Sequence, residues 1–121
     1  MLAVEVQNLT HSINNKKILN NINFNLDKDS ISCILGPSGS GKTTLLKLIA
    51  GLEKVQSGKI SINGEEVSSV YKHLPTEKRK IGFLFQDYAL FPHLTVKQNL
   101  EYPINYKNSD YKIEDIIDLI K

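Results

Sequence analysis

The sequence predicts an α/β fold built around a glycine-rich loop, on three observations. Residues 36–44 read GPSGSGKTT, between the apolar run ISCIL and the helix-like run LLKLIAG. A second apolar run, IGFLF, stands at 81–85. Segments with strand alternation, bounded by turn residues, precede the first run and separate the two. The expected architecture is an antiparallel β portion, an incomplete parallel core sheet and the start of a helical portion.

The elements follow in chain order. Residues 3–9 alternate loosely and read as a strand, with a turn at 14–17. Ile18, Ile22, Phe24 and Leu26 give 18–26 the character of a second strand, followed by a turn at 27–30. Residues 31–35 suit a buried central strand. The glycine loop leads into a helix over 42–50, and Gly51 sits where a C′ glycine ends it. Residues 59–64 are a strand running into Asn63-Gly64, a strong hairpin signal. Residues 65–70 are the return strand or a turn into a short helix, and the polar stretch 71–80 is a loop. Residues 81–85 form a second candidate central strand. Thr95-Val96-Lys97-Gln98 has capping-box spacing, so a short helix begins there, and Pro103 ends it. Ser109 or Asp110 caps a last helix with Ile113, Ile116, Ile117 and Ile120 on one face. That face needs something to pack on, and the helix has no stop signal; the expectation is a chain lacking its C-terminal half.

Composition excludes several classes. Fifteen Lys plus Arg against thirteen Asp plus Glu give a net charge of +2, far from the concentrated basic face of a nucleic-acid binder. No nucleic-acid partner is expected. The single cysteine, Cys33, cannot form a disulfide within one chain; its place in an apolar run makes it a small buried hydrophobe and favours a reducing compartment. No stretch approaches the roughly 20 apolar residues of a membrane span, and no signal peptide is evident. A cytoplasmic protein is expected, held at a membrane only by a partner. His11 and His73 have no partners at metal spacing, and His93, beside Pro92, reads as a surface histidine.

Gly36, Pro37, Ser38, Gly39, Ser40, Gly41, Lys42 and Thr43 match G-x-x-x-x-G-K-[ST] between an expected strand and an expected helix, the context the motif needs. Backbone N–H groups can surround a polyphosphate only where the chain bends tightly without side chains in the way. The helix that follows aims its unpaired N–H groups and positive dipole end at the same phosphates. Lys42 adds a mobile charge for the β- and γ-phosphates. The Thr43 hydroxyl is suited to ligate Mg²⁺, and the Thr44 hydroxyl to bond an α-phosphate oxygen.

The loop alone fits many P-loop NTPases. Residues 81–100 read IGFLFQDYALFPHLTVKQNL. Taken with the loop, LLKLIAGLEKVQSGKISINGEEV and the segment 75–80, this closely resembles the nucleotide-binding subunits of ABC transporters. It is most similar to the importer type that serves molybdate, sulfate, iron(III) and polyamines. The resemblance runs from about residue 4 to 104. It implies that 1–121 is part of an ABC nucleotide-binding domain, with the P-loop at 36–43, the Q-loop around Gln86 and a helical subdomain starting at about 95. It implies ATP and Mg²⁺ as ligands, with Gln86 reaching the metal and the attacking water. The loop 87–94, carrying Tyr88, Leu90, Phe91 and Pro92, would receive the membrane subunit. A second nucleotide-binding subunit would complete an ATP sandwich. The family's usual adenine-stacking aromatic falls at Ile13 here; isoleucine lacks a π-face, and His11 is the nearby substitute.

After Gln86 the sequence shows no LSGGQ-like signature, no apolar strand ending in Asp-Glu (Walker B) and no switch histidine. Glu114, Asp115 and Asp118 lie among helical-period isoleucines and read as a solvated face. The expectation is an ATPase subunit's N-terminal part that does not hydrolyse ATP by itself and leaves 31–35 and 81–85 poorly covered. Two alternatives remain: a non-catalytic nucleotide-binding fragment, and another P-loop enzyme such as a small kinase or GTPase. A GTPase would need N-K-x-D, which is absent. A small kinase usually carries an arginine-rich lid, and this chain has one arginine, Arg79.

Overall fold

A computed structural model describes residues 1–86 and 90–107. They fall into two units, Met1–Phe83 and one that begins at Leu84.

In the first unit, β1 (Leu2–Ile13) and β2 (Lys16–Asp27) form a long antiparallel hairpin. Its two-residue turn is Asn14-Asn15, both at positive φ (51° and 62°), as a type I′ turn requires and as asparagine tolerates. The glycine loop and α1 (Lys42–Ala50) follow. The chain then returns through β3 (Ser57–Ile62), turns at Asn63-Gly64 and leaves along β4 (Glu65–Ser68). The sheet order is β2-β1-β3-β4, antiparallel throughout. A short 3₁₀ turn, Thr76–Lys78, interrupts the polar loop after it.

One face of the sheet meets α1. Val6, Leu9 and Leu19 from the hairpin, Ile60, Ile62 and Val67 from the second ribbon, and Leu45 and Leu48 from the helix make a single core. Leu45 and Leu48 lie three apart, so α1 presents one narrow stripe to the sheet. Full burial of a leucine such as Leu48 contributes about 1.5–3 kcal/mol. The helix ends where glycine permits. Gly51 lies at φ 85°, its N–H reaches Leu48 O at 3.2 Å, and Leu52 N–H reaches Lys47 O at 2.9 Å, a Schellman closure.

Three sequence expectations are corrected here. Residues 31–35 and 81–85 are not strands. Ile31 and Leu35 are almost fully exposed, and Leu84 is 75% exposed. A parallel strand is held by neighbours on both edges and helices on both faces; among the described residues neither run joins a strand ladder. Residues 32–35 instead line one wall of an apolar groove of about 530 Å³ against Ile22, Phe24, Leu45 and Ile49. Cys33 is correspondingly exposed rather than buried.

In the second unit, α2 spans Val96–Lys107. The capping box forms as its spacing requires: Gln98 N–H donates to Thr95 Oγ1 at 3.1 Å, and Thr95 N–H to Gln98 Oε1 at 2.9 Å. The helix continues past Pro103, against expectation. Proline removes one backbone bond from a helix without forbidding the next turn. The expected last helix lies outside the described residues. No helix among the described residues is long and apolar enough to cross a membrane.

Candidate functional site

The glycine loop is an exposed turn running directly into α1. Ser40 N–H closes it onto Pro37 O at 3.2 Å. Gly41 precedes the helix at φ 97°, and the first intrahelical bond is Leu45 N–H to Gly41 O at 2.9 Å. The amides of Lys42, Thr43 and Thr44 therefore lack an intrahelical acceptor. No side chain caps this end, and its first turn carries no acidic residue. The positive end of the helix is left facing outward for an anion.

The glycines are where backbone must pack closely. A β-carbon on Gly36 would meet Ser40 Oγ at 2.8 Å; one on Gly41 would meet Ile18 Cγ2 at 2.8 Å and Leu19 Cδ2 at 2.9 Å. The start of β2 thus backs the loop. Lys42 folds across the loop, and its ammonium donates to Gly36 O. One charged donor, three helix amides and two threonine hydroxyls on one turn, with a bare glycine backbone, make a donor set that fits a polyphosphate. The exposed Thr43 hydroxyl beside it fits a hard, oxygen-seeking cation such as Mg²⁺. Pro37, Ser38, Gly39 and Ser40 are all exposed along the loop.

The base side differs from expectation at one residue. Ile13, at the end of β1, is 46% exposed. His11 is buried opposite Leu19 in the hairpin, so it does not offer a ring to a ligand. Regular alternation would place the two on one face; the register shift between His11 and Ser12 interrupts it.

Gln86 is an exposed turn residue of the second unit. Asp87, Tyr88 and Ala89 lie outside the described residues. Beyond them Leu90 is 69% exposed, and the Phe91 ring packs tilted at 44° against Tyr102, centroids 4.7 Å apart, and edge-on to His93, centroids 6.0 Å apart. His93 is exposed. Asn99 fastens this loop to α2. Its Oδ1 accepts from Phe91 N–H at 2.9 Å, and its Nδ2 donates to Thr95 O at 2.9 Å.

Sequence reasoning missed Asn99, and it missed Arg79. Arg79 stands in a basic trio that reads as a solvated loop, yet it is buried, with burial holding its pKa below the ordinary guanidinium value. That it is the chain's sole arginine was the only available signal.

A glycine loop opening into an uncapped helix, backed by an antiparallel sheet, is the arrangement of a P-loop domain. The family profile described as ABC transporter matches residues 19–121. The spermidine/putrescine import ATP-binding protein of Pasteurella multocida is 42% identical over 99 residues, covering 82% of this chain and 26% of that protein. Its Mesomycoplasma hyopneumoniae counterpart is 39% identical over 119 residues, covering 98% of this chain and 26% of that one. The sulfate/thiosulfate import ATP-binding protein of Synechocystis is 36% identical over 125 residues, covering 99% and 34%. A solved ATP-binding cassette, dimeric and bound to ADP and Pi after hydrolysis, superposes with a TM-score of 0.75 at 33% identity, covering 93% of this chain and 51% of that one. The chain belongs to the ABC transporter family, and it spans about a quarter to a third of the curated relatives it matches.

Proposed function

We propose that this chain is the ATP-binding part of an ABC importer's nucleotide-binding subunit. The observation that carries the reading is the loop itself: a bare glycine turn on an uncapped helix N-terminus, with Lys42 reaching across it. Gly36, Pro37, Ser38, Gly39, Ser40 and Gly41 wrap the phosphate chain. Lys42 neutralises the β- and γ-phosphates, Thr44 bonds the α-phosphate, and Ile13 packs on the base without stacking. Thr43 and Gln86 would hold Mg²⁺, which neutralises charge on the β- and γ-oxygens when bound.

The exposed apolar residues Leu90 and Phe91 support the loop 87–94 as the contact for a membrane subunit, which would hold the protein at the inner face of the membrane. The dimeric cassettes it resembles support a second nucleotide-binding subunit as partner. The relatives named for polyamine and sulfate import support an importer without selecting its solute.

Within these 121 residues Lys42, Thr43 and Gln86 are the only catalytic parts matched; the signature, Walker B and switch histidine are not among them. The chain by itself therefore binds Mg-ATP and does not turn it over. The test is a phosphate-release assay beside a binding titration. Saturable binding without release is expected. Release that disappears in Lys42→Ala would overturn the claim of inactivity, and no binding at millimolar ATP would overturn the nucleotide site.

A further inference from the structure

Arg79 is 2% exposed, and among the described residues no carboxylate pairs with it. Its guanidinium instead spends its donors on carbonyls from three directions. Nε donates to Leu74 O at 2.7 Å. Nη1 donates to Leu48 O at 3.3 Å and Ile49 O at 3.1 Å. Nη2 donates to Val67 O at 3.2 Å and Ser68 Oγ at 2.7 Å, with His73 Nδ1 at 3.5 Å.

The acceptors explain the placement. Leu48 O and Ile49 O belong to the last turn of α1, where carbonyls run out of intrahelical donors and the dipole is negative. The Schellman closure at Gly51 serves Lys47 O and Leu48 O and leaves Ile49 O to Arg79. Gly51 also makes room for the guanidinium: a β-carbon there would lie 2.5 Å from Arg79 Nε. Val67 and Ser68 belong to β4, at the far edge of the sheet from β2. One side chain thus ties the end of the loop helix to the sheet and to the chain segment leading out of it.

We propose that Arg79 is a positioning residue for the nucleotide: by fixing the C-terminal end of α1 it sets where the helix's other end holds the glycine loop. This rests on the reading of that loop as a nucleotide site. The lever is short. Nine helical residues span about 13 Å, so a tilt of about 10° at the fastened end moves Lys42 by about 2 Å. Displacements of that size are enough to degrade a site whose donors must meet fixed phosphate oxygens. Lysine cannot replace the arginine, because a point ammonium with three donors cannot reach acceptors spread around a planar fork.

The experiment compares the full chain with Arg79→Lys, Arg79→Met and Gly51→Ala, the last displacing the guanidinium from the opposite side. Amide hydrogen exchange is read at the hydrogen-bonded amides within 39–45, those of Ser40 and Leu45, and across the β1–β2 hairpin without nucleotide, and Mg-ATP affinity is read on samples shown to be folded. The expected result is exchange at 39–45 faster by about tenfold with the hairpin changed less than twofold, since local opening raises exchange only where the structure loosens. ATP affinity falls about tenfold in parallel, with Lys no better than partial rescue. Exchange that rises uniformly over loop and hairpin, or stays unchanged at 39–45, would overturn the proposal. If Arg79→Met does not fold, the Lys and Gly51→Ala variants carry the comparison. A wild-type chain with no ATP affinity removes the nucleotide reading, while the exchange pattern still reads out separately whether Arg79 places the loop.

Discussion

Gly41 and Ile18 are in closest contact at the back of the loop: a β-carbon on Gly41 would lie 2.8 Å from Ile18 Cγ2 and 3.3 Å from Ile18 O. The first residues of β2 therefore set how deeply the loop sits on the hairpin. Gly41 also holds φ at 97°, a conformation costly for any residue with a β-carbon. Gly41→Ala is expected to destabilise the chain by about 1–3 kcal/mol through that strain and the steric push together. It should also weaken Mg-ATP binding in the folded fraction by at least about tenfold, because the helix amides move with the loop. Denaturant unfolding and an ATP titration check both numbers; a variant as stable and as tight-binding as wild type contradicts the packing argument.

Ile13 lies half exposed at the end of β1, without an aromatic face. Introducing one should strengthen contact with a purine. Ile13→Tyr is expected to tighten ATP binding by about 2–10-fold, the worth of a stacked aromatic pair. Affinity unchanged in Ile13→Tyr would place the base elsewhere.

Thr95 and Gln98 exchange hydrogen bonds at the start of α2, each side chain serving the other residue's amide. Thr95→Ala should cost about 1 kcal/mol of local stability. The readout is faster amide exchange in 96–100 than in wild type; equal exchange would show that the helix does not depend on its cap.

Asn99 accepts from Phe91 N–H and donates to the carbonyls of Phe91, Leu94 and Thr95. Asn99→Ala removes all four bonds at once. Proteolysis within 91–95 is expected to accelerate about tenfold, because that loop then opens locally at lower cost. An unchanged cleavage rate would mean that the Phe91–Tyr102 ring contact alone holds the loop.

What the sequence revealed depended on whether a signal was local. α1 was legible to the residue because glycine stands at both ends, and each glycine answers a backbone need that no other residue meets. The turns at Asn14-Asn15 and Asn63-Gly64, and the Thr95–Gln98 box, are equally local. Residues 31–35 and 81–85 were misread because apolar composition records what a segment buries against in a finished sheet, and that sheet's pairing is not supplied by the described residues. Arg79 was illegible for the opposite reason. Its charge and its polar neighbours Lys78 and Lys80 signal solvent, while the carbonyls that draw it inward come from residues 5 to 31 positions away. That His11 is buried while Ile13, two positions on, is half exposed was equally hidden, because the β1–β2 register shifts between Leu9 and Ser12 and so interrupts the alternation.

The decisive measurement is calorimetric titration of wild type and Lys42→Ala with Mg-ATP and with AMP. If the loop grips a polyphosphate, wild type binds Mg-ATP far more tightly than AMP. Removing the Lys42 ammonium should then lower ATP affinity by about 10–100-fold, the value of one to two charge-assisted bonds, and leave AMP unaffected. Equal binding of ATP and AMP, indifferent to Lys42→Ala, would show that the glycine loop does not hold phosphates.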